Sequence, residues 1–246
     1  MTEKRFDLTS RWLHIFAMTF MLMDHMWATV LSDYQWLTWV GRLAFPIFAF
    51  MTVEGYVHTS NFKKYMTRLF ISAVLSEIPF NLMLSGRAFN PYHQNVIWTF
   101  IIALSLIHIN EIVKKKDKLW LTLLTAVGTT GLGYVIGIIT FVDYNAAGVL
   151  TVMMFYFFRG RKWWNYLIQF ACLYYINAEY LQGLYFEVDL FGKTIQVVQQ
   201  GLAIFSFPFI MLYKGRPGKK SKAFQYFCYA FYPAHMLVLW AIMTYM

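Results

Sequence analysis

The chain has 246 residues, 59% hydrophobic, 20% aromatic and only 13% charged, with a formal net charge of +9. Soluble globular domains carry about 25% charged residues, so a water-soluble enzyme or binding module is excluded, and a mean hydropathy of +0.47 puts the chain in a bilayer. Apolar runs approaching 20 residues recur to the C-terminus, the length a helix needs to cross a hydrocarbon core of about 30 Å. They lack the alternation of an outer-membrane barrel. The expected fold is all-α, a polytopic transmembrane bundle forming one domain over residues 1–246.

The first run, Arg11–Leu31, is longer than a signal-peptide core, holds Asp24-His25 and lacks a small-residue cleavage pattern before Trp36. It reads as a retained first span. Further spans are expected near Gln35–His58, Tyr65–Leu84, Asn95–Val113, Leu119–Val142, Asn145–Phe158, Trp163–Ala178, Ile195–Tyr213 and Ala223–Tyr245. That makes about nine, the sixth and seventh being short. Cys172 and Cys228 lie in apolar surroundings with no metal-ligand spacing, so neither a disulfide framework nor a metal site is expected.

Charge sets the orientation. Alternate loops hold Lys4, Arg5 and Arg11; Lys63, Lys64 and Arg68; Lys114, Lys115, Lys116 and Lys118; Arg159, Arg161 and Lys162; and Lys214, Arg216, Lys219, Lys220 and Lys222. These are 18 of the 21 basic residues, and the positive-inside rule makes their side cytoplasmic. The N-terminus is then inside and the C-terminus outside. The net charge is a product of topology, and no basic face remains for nucleic acid.

Ionisable residues inside spans are costly, roughly 2.5–3.5 kcal/mol for a central Asp on insertion scales. Converting helix position to depth puts His25 roughly 9 Å, Arg42 roughly 10 Å and Glu77 roughly 12 Å from the outer face, with His235 at a similar level. Asp24 and His25 point about 100° apart, so they serve different partners. Arg42 is the expected counter-ion of Asp24 or Glu77, since an unpaired buried guanidinium is prohibitive. Glu77 and Asn81 share a helix face around Pro79. Glu54 and His58 form a second i,i+4 pair at the inner end of their span.

The sequences Met23-Asp24-His25, Gly41-Arg42-Leu43-Ala44-Phe45-Pro46, Glu54-Gly55-Tyr56, Glu77-Ile78-Pro79-Phe80-Asn81 and Phe231-Tyr232-Pro233-Ala234-His235 closely resemble, in order, the motifs of the TraX family. Between about Val113 and Phe224 the likeness is one of hydropathy. TraX is associated with acetylation of the N-terminus of F-type conjugative pilin, and the family looks related to broader transmembrane acyltransferases. The resemblance implies a bacterial inner-membrane enzyme taking acetyl-CoA or another acyl-CoA as cytosolic donor. Its acceptor would lie outside: a pilin-like N-terminus, a glycan or a lipid. It also implies that His25 is the catalytic histidine, with Arg42, Glu54, Glu77, Tyr232 and His235 as the next site residues; Asp24, beside His25, and Asn81, on the face of Glu77, join them as candidates from the polar layer.

A histidine base suits removal of a proton from an attacking amine or hydroxyl near neutral pH. Asp24 or Glu77 could hold its tautomer, and Arg42, Tyr232 or His235 could stabilise an oxyanion. Arg159, Arg161 and Lys162 are candidates for the coenzyme A phosphates. The competing class is a proton-coupled transporter, for which intramembrane carboxylates and histidines also serve. Carriers commonly carry internal repeats, and none is visible here.

Overall fold

The computed structural model describes residues 7–190, 192–218 and 221–245, so Lys4, Arg5, Lys219 and Lys220 lie outside the described residues. The chain is mostly helical, as expected, and folds as two compact units. One joins the described part of residues 1–51 to that of 173–246, and the other is residues 52–172. Among the described residues five helices are long and apolar enough to cross a membrane: Trp36–His58, Phe62–Ser85, Val96–Lys114, Leu119–Ile139 and Lys222–Tyr245. Asn145–Phe157 and Gln199–Leu212 are shorter apolar helices.

In the first unit α1 (Ser10–Ala28) packs against α2 (Trp36–Gly41) and α10 (Lys222–Tyr245). The second expected span is interrupted: α2 ends at Gly41 and α3 (Ala44–His58) begins three residues later. Pro46 accounts for the break, because it has no N–H to donate and its ring crowds the carbonyl four residues back, that of Arg42. The interruption leaves Arg42 at a helix end rather than mid-helix. The close approach of α1 and α2 requires Gly41, where a Cβ would lie 2.4 Å from Asp24 Cβ and 2.8 Å from Asp24 Cα.

The late spans differ most from expectation. The seventh is α8 (Trp163–Tyr174) continued by a π-helical stretch, Tyr175–Leu181. An antiparallel hairpin follows, β1 (Tyr185–Leu190) and β2 (Lys193–Val198), so the eighth expected span begins inside a strand. A long 3₁₀ stretch, Gln199–Ser206, leads into α9 (Phe207–Leu212), with Pro208 in its first turn. Both π and extended 3₁₀ geometry are uncommon and often mark functional positions.

The second unit contains α4 (Phe62–Ser85), α5 (Val96–Lys114), α6 (Leu119–Ile139) and α7 (Asn145–Phe157), within a few residues of the expected third to sixth spans. α5, α6 and α7 pack on one another and α4 packs on α5. Gly133 and Gly137, four apart, form the small face of α6 against α7: a Cβ on Gly137 would meet Ala146 Cα at 2.7 Å. The opposite face of α6 exposes Leu124, Val135 and Ile139, a surface suited to lipid, where a helix satisfies its own backbone groups.

Candidate active site

The expected polar layer divides between the units. Asp24, His25, Arg42 and His235 belong to the first, Glu77 to the second.

In the first unit His25 Nδ1 lies 2.7 Å from His235 Nε2. The ring planes are within 7° and the centroids 4.9 Å apart. A centroid separation so much larger than the N–N distance means that the rings meet edge to edge, with the hydrogen bond in plane. His235 Nδ1 lies 2.7 Å from the Phe231 carbonyl oxygen. That oxygen can only accept, so His235 Nδ1 carries a proton and, in the neutral ring, Nε2 is the acceptor. His25 Nδ1–H then donates to it, which leaves His25 Nε2 as the basic nitrogen. The imidazole expected to be held by a carboxylate is held instead by a second imidazole and a backbone carbonyl. Phe231 stacks on His235 at 4.9 Å and 13°, and the buried Tyr232 ring lies 6.0 Å from it.

Asp24, one residue along, serves a different partner. Its Oδ1 is 3.1 Å from Arg42 Nη2 and accepts the Thr38 hydroxyl proton at 2.7 Å. Thr38, fully buried, is the hub: its oxygen accepts from Arg42 Nε (3.1 Å), Arg42 Nη2 (2.9 Å) and Gln199 Nε2 (2.9 Å). Arg42 Nη1 donates to Gln200 Oε1 at 3.1 Å, and Gln200 Nε2 donates to Asn177 Oδ1 at 2.9 Å. Asn177 sits in the π-helical stretch and donates Nδ2 to the Leu173 carbonyl at 2.8 Å. Thr38, Asn177, Gln199 and Gln200 are the members of this network that sequence reading passes over. Gly41→Ala is expected to disrupt it by forcing α2 off α1. A loss of about 1–3 kcal/mol should appear as a lowered melting temperature of the detergent-solubilised protein.

In the second unit Glu77 pins two helices together. Its Oε2 accepts from Asn95 Nδ2 and from Trp98 Nε1 (3.0 Å), and its Oε1 from Asn81 Nδ2 (3.2 Å). Asn95 Oδ1 caps α5 by accepting from Ile97 N. Glu77 and Asn81 thus share a face as expected, and the counter-ion of Arg42 is Asp24. At the other end of this unit Arg159 Nε donates to Glu54 Oε1 at 2.6 Å. His58 Nδ1 lies 2.8 Å from the Glu54 carbonyl and 3.8 Å from its carboxylate. Arg161 and Lys162 are exposed. Among the described residues no three His, Cys, Asp or Glu side chains converge to hold a metal ion.

In the loop between α4 and α5, His93 Nε2 lies 3.5 Å from Asp143 Oδ1. The hydrogen bond to Asp143, with the charges of Asp143 and Glu77, raises the His93 pKa above the ordinary 6.5 despite burial. A raised folded-state pKa contributes stability that is complete below about 6.5 and fades as pH rises through the folded value. Thermal unfolding between pH 5.5 and 8.5 should therefore show the melting temperature falling with pH more steeply in the wild type than in Asp143→Asn.

A polytopic helical membrane protein with a half-buried His–His and Asp–Arg centre is the class that fold and site define. The family model described as TraX protein matches residues 10–243, and the chain belongs to the TraX family. It is similar to a probable fimbrial assembly protein FimC, serogroup H1, of Dichelobacter nodosus, with 25% identity and 96% of each chain covered. No solved structure matches.

Proposed function

We propose that this protein is an acyl-CoA-dependent membrane acyltransferase, in the simplest case an acetyltransferase of the bacterial inner membrane. It would pass the acyl group from the cytoplasmic side to an amine or hydroxyl outside. The observation that carries the reading is the chain from the Phe231 carbonyl through His235 to His25, which leaves one imidazole nitrogen basic inside an apolar protein. Family membership supports it, since TraX is linked to pilin acetylation, and the relative named for fimbrial assembly fits a surface-polypeptide acceptor.

His25 Nε2 takes the proton of the attacking amine or hydroxyl as its nucleophile adds to the thioester carbonyl. The tetrahedral oxyanion forms near the Asp24–Arg42 pair, whose guanidinium can share its donors. The C–S bond then breaks and the proton passes from His25 to the departing thiolate, giving the acylated acceptor and free coenzyme A. Arg161 and Lys162 are the better candidates for the coenzyme A phosphates, because Arg159 is already committed to Glu54.

The test is purified protein in sealed proteoliposomes given labelled acetyl-CoA. Transfer or slow hydrolysis is expected only when the label is on the cytoplasmic side. Equal use from both faces would sink the orientation. Solute flux without acyl transfer would favour a carrier using the same histidines.

A further inference from the structure

The hairpin is the one sheet among the described residues, and β1 and β2 pair only with each other. Just beyond the ladder, Gln199 N donates to the Leu184 carbonyl at 2.8 Å. In an antiparallel pair, bonded and non-bonded residue pairs alternate. Leu184 opposite Gln199 is bonded, so Phe186–Val197 and Val188–Ile195 are bonded too. Tyr185, Glu187 and Asp189 therefore turn their N–H and C=O groups outward along the free edge of β1. All three residues are exposed.

Such an edge is a template for another strand, and proteins that do not use it blunt it with Lys, Pro, a bulge or a cover. β1 has no Lys or Pro, and its pairing with β2 runs without a bulge from Tyr185 to Leu190. Its charges are the two carboxylates of Glu187 and Asp189. Those like charges oppose edge-to-edge pairing of two copies and favour a partner that brings a cation.

The edge is also tied to the candidate site. The Phe186 ring lies on Trp39, 4.5 Å between centroids, next to Thr38 on α2. β2 runs without interruption into Gln199 and Gln200, which bond Thr38 and Arg42.

We propose that the free edge of β1 is the docking strand for an extended polypeptide acceptor, bound by β-augmentation with its free α-amine at the Tyr185 end. This rests on the acyl-transfer reading with a polypeptide acceptor and adds where that acceptor binds: a row of backbone donors and acceptors is matched by another peptide backbone. A segment parallel to β1 brings its N-terminus to the Trp39 end of the hairpin, two residues along the strand from the Glu187 carboxylate, while Asp189, nearer the turn, accepts from the Thr194 hydroxyl at 2.7 Å.

The probe is a ten-residue Thr/Val peptide with a free α-amine and a C-terminal dye, offered to the full-length protein in nanodiscs. Binding is read by anisotropy and acetylation by mass. Glu187→Pro removes an outward N–H without touching the bonded pairs, and Gln196→Pro does the same on the β2 edge as a control. A version of the peptide N-methylated at alternate residues tests the same contact on unaltered protein.

Glu187→Pro and N-methylation should each weaken binding at least tenfold and raise the peptide KM to match, with kcat unchanged. Gln196→Pro, and turnover with glycinamide as a small amine, should be unaffected. No binding to the wild type, or binding indifferent to N-methylation, overturns the docking strand. Edge-dependent binding without acetylation upholds it and removes the acyl-transfer reading, whereas acetylation without edge dependence does the reverse.

Discussion

His25→Ala is expected to abolish acyl transfer while leaving expression, membrane insertion and melting temperature close to wild type. A positioned general base contributes about 10²–10⁴-fold, and the imidazole that remains in this variant, His235, lies one ring away from the position His25 Nε2 occupied. His235 Nδ1–H is committed to the Phe231 carbonyl, and its Nε2 faces His25. The two histidines should separate in kinetics. His235→Phe keeps the base but removes the acceptor that fixes its tautomer, for which an orienting partner suggests a loss of about 10–100-fold. His235→Gln offers an amide oxygen to His25 Nδ1–H and should recover part of that loss. The pH–rate profile should move in both His235 variants, because the partner of the base has changed; a merely structural role for His235 would leave it in place. Near-normal turnover in His25→Ala removes this residue from the mechanism.

The members of this site that could be read from sequence were those that are costly in lipid. Asp24, His25, Arg42 and His235 stand out because a charge or an imidazole in an apolar run demands a reason, and all four fall in one unit of the structure. Thr38, Asn177, Gln199 and Gln200 are neutral and carry no such signal, yet they orient Arg42. The adjacent amides Gln199-Gln200 at the head of an apolar run were the available hint. Depth arithmetic put Glu77 on the same level, but depth does not fix a partner: its donors, Asn95 and Trp98, come from the turn before α5 and its first residues.

The long helices were legible from apolar length, whereas the late region was not. Tyr185–Leu190 and Lys193–Val198 are short, partly apolar and separated by a turn containing Gly192 at φ 75°, and a hydropathy window blends them into the next span. The π and 3₁₀ stretches have no sequence period that distinguishes them from an α-helix over seven or eight residues.

Breaking the Asp24–Arg42 pair should be the most damaging change to folding in this network, and repairing it should separate stability from catalysis. Both side chains are mostly buried, at 18% and 19% exposure. Removing one partner of such a pair leaves an uncompensated charge and typically costs about 3–5 kcal/mol, while replacing both by apolar residues of similar volume is often neutral. Asp24→Leu alone should therefore lower the melting temperature sharply and reduce yield, as should Arg42→Met alone. The double variant should melt near the wild-type temperature, less the cost of the Gln200 oxygen that loses its Arg42 donor. If Arg42 stabilises the oxyanion, the double variant should remain inactive although folded, with its loss in kcat rather than in acceptor KM. A folded double variant with near-normal kcat would make the pair a structural ion pair only, and the oxyanion would need another donor in the first unit, for which Tyr232, buried beside His235, is a candidate.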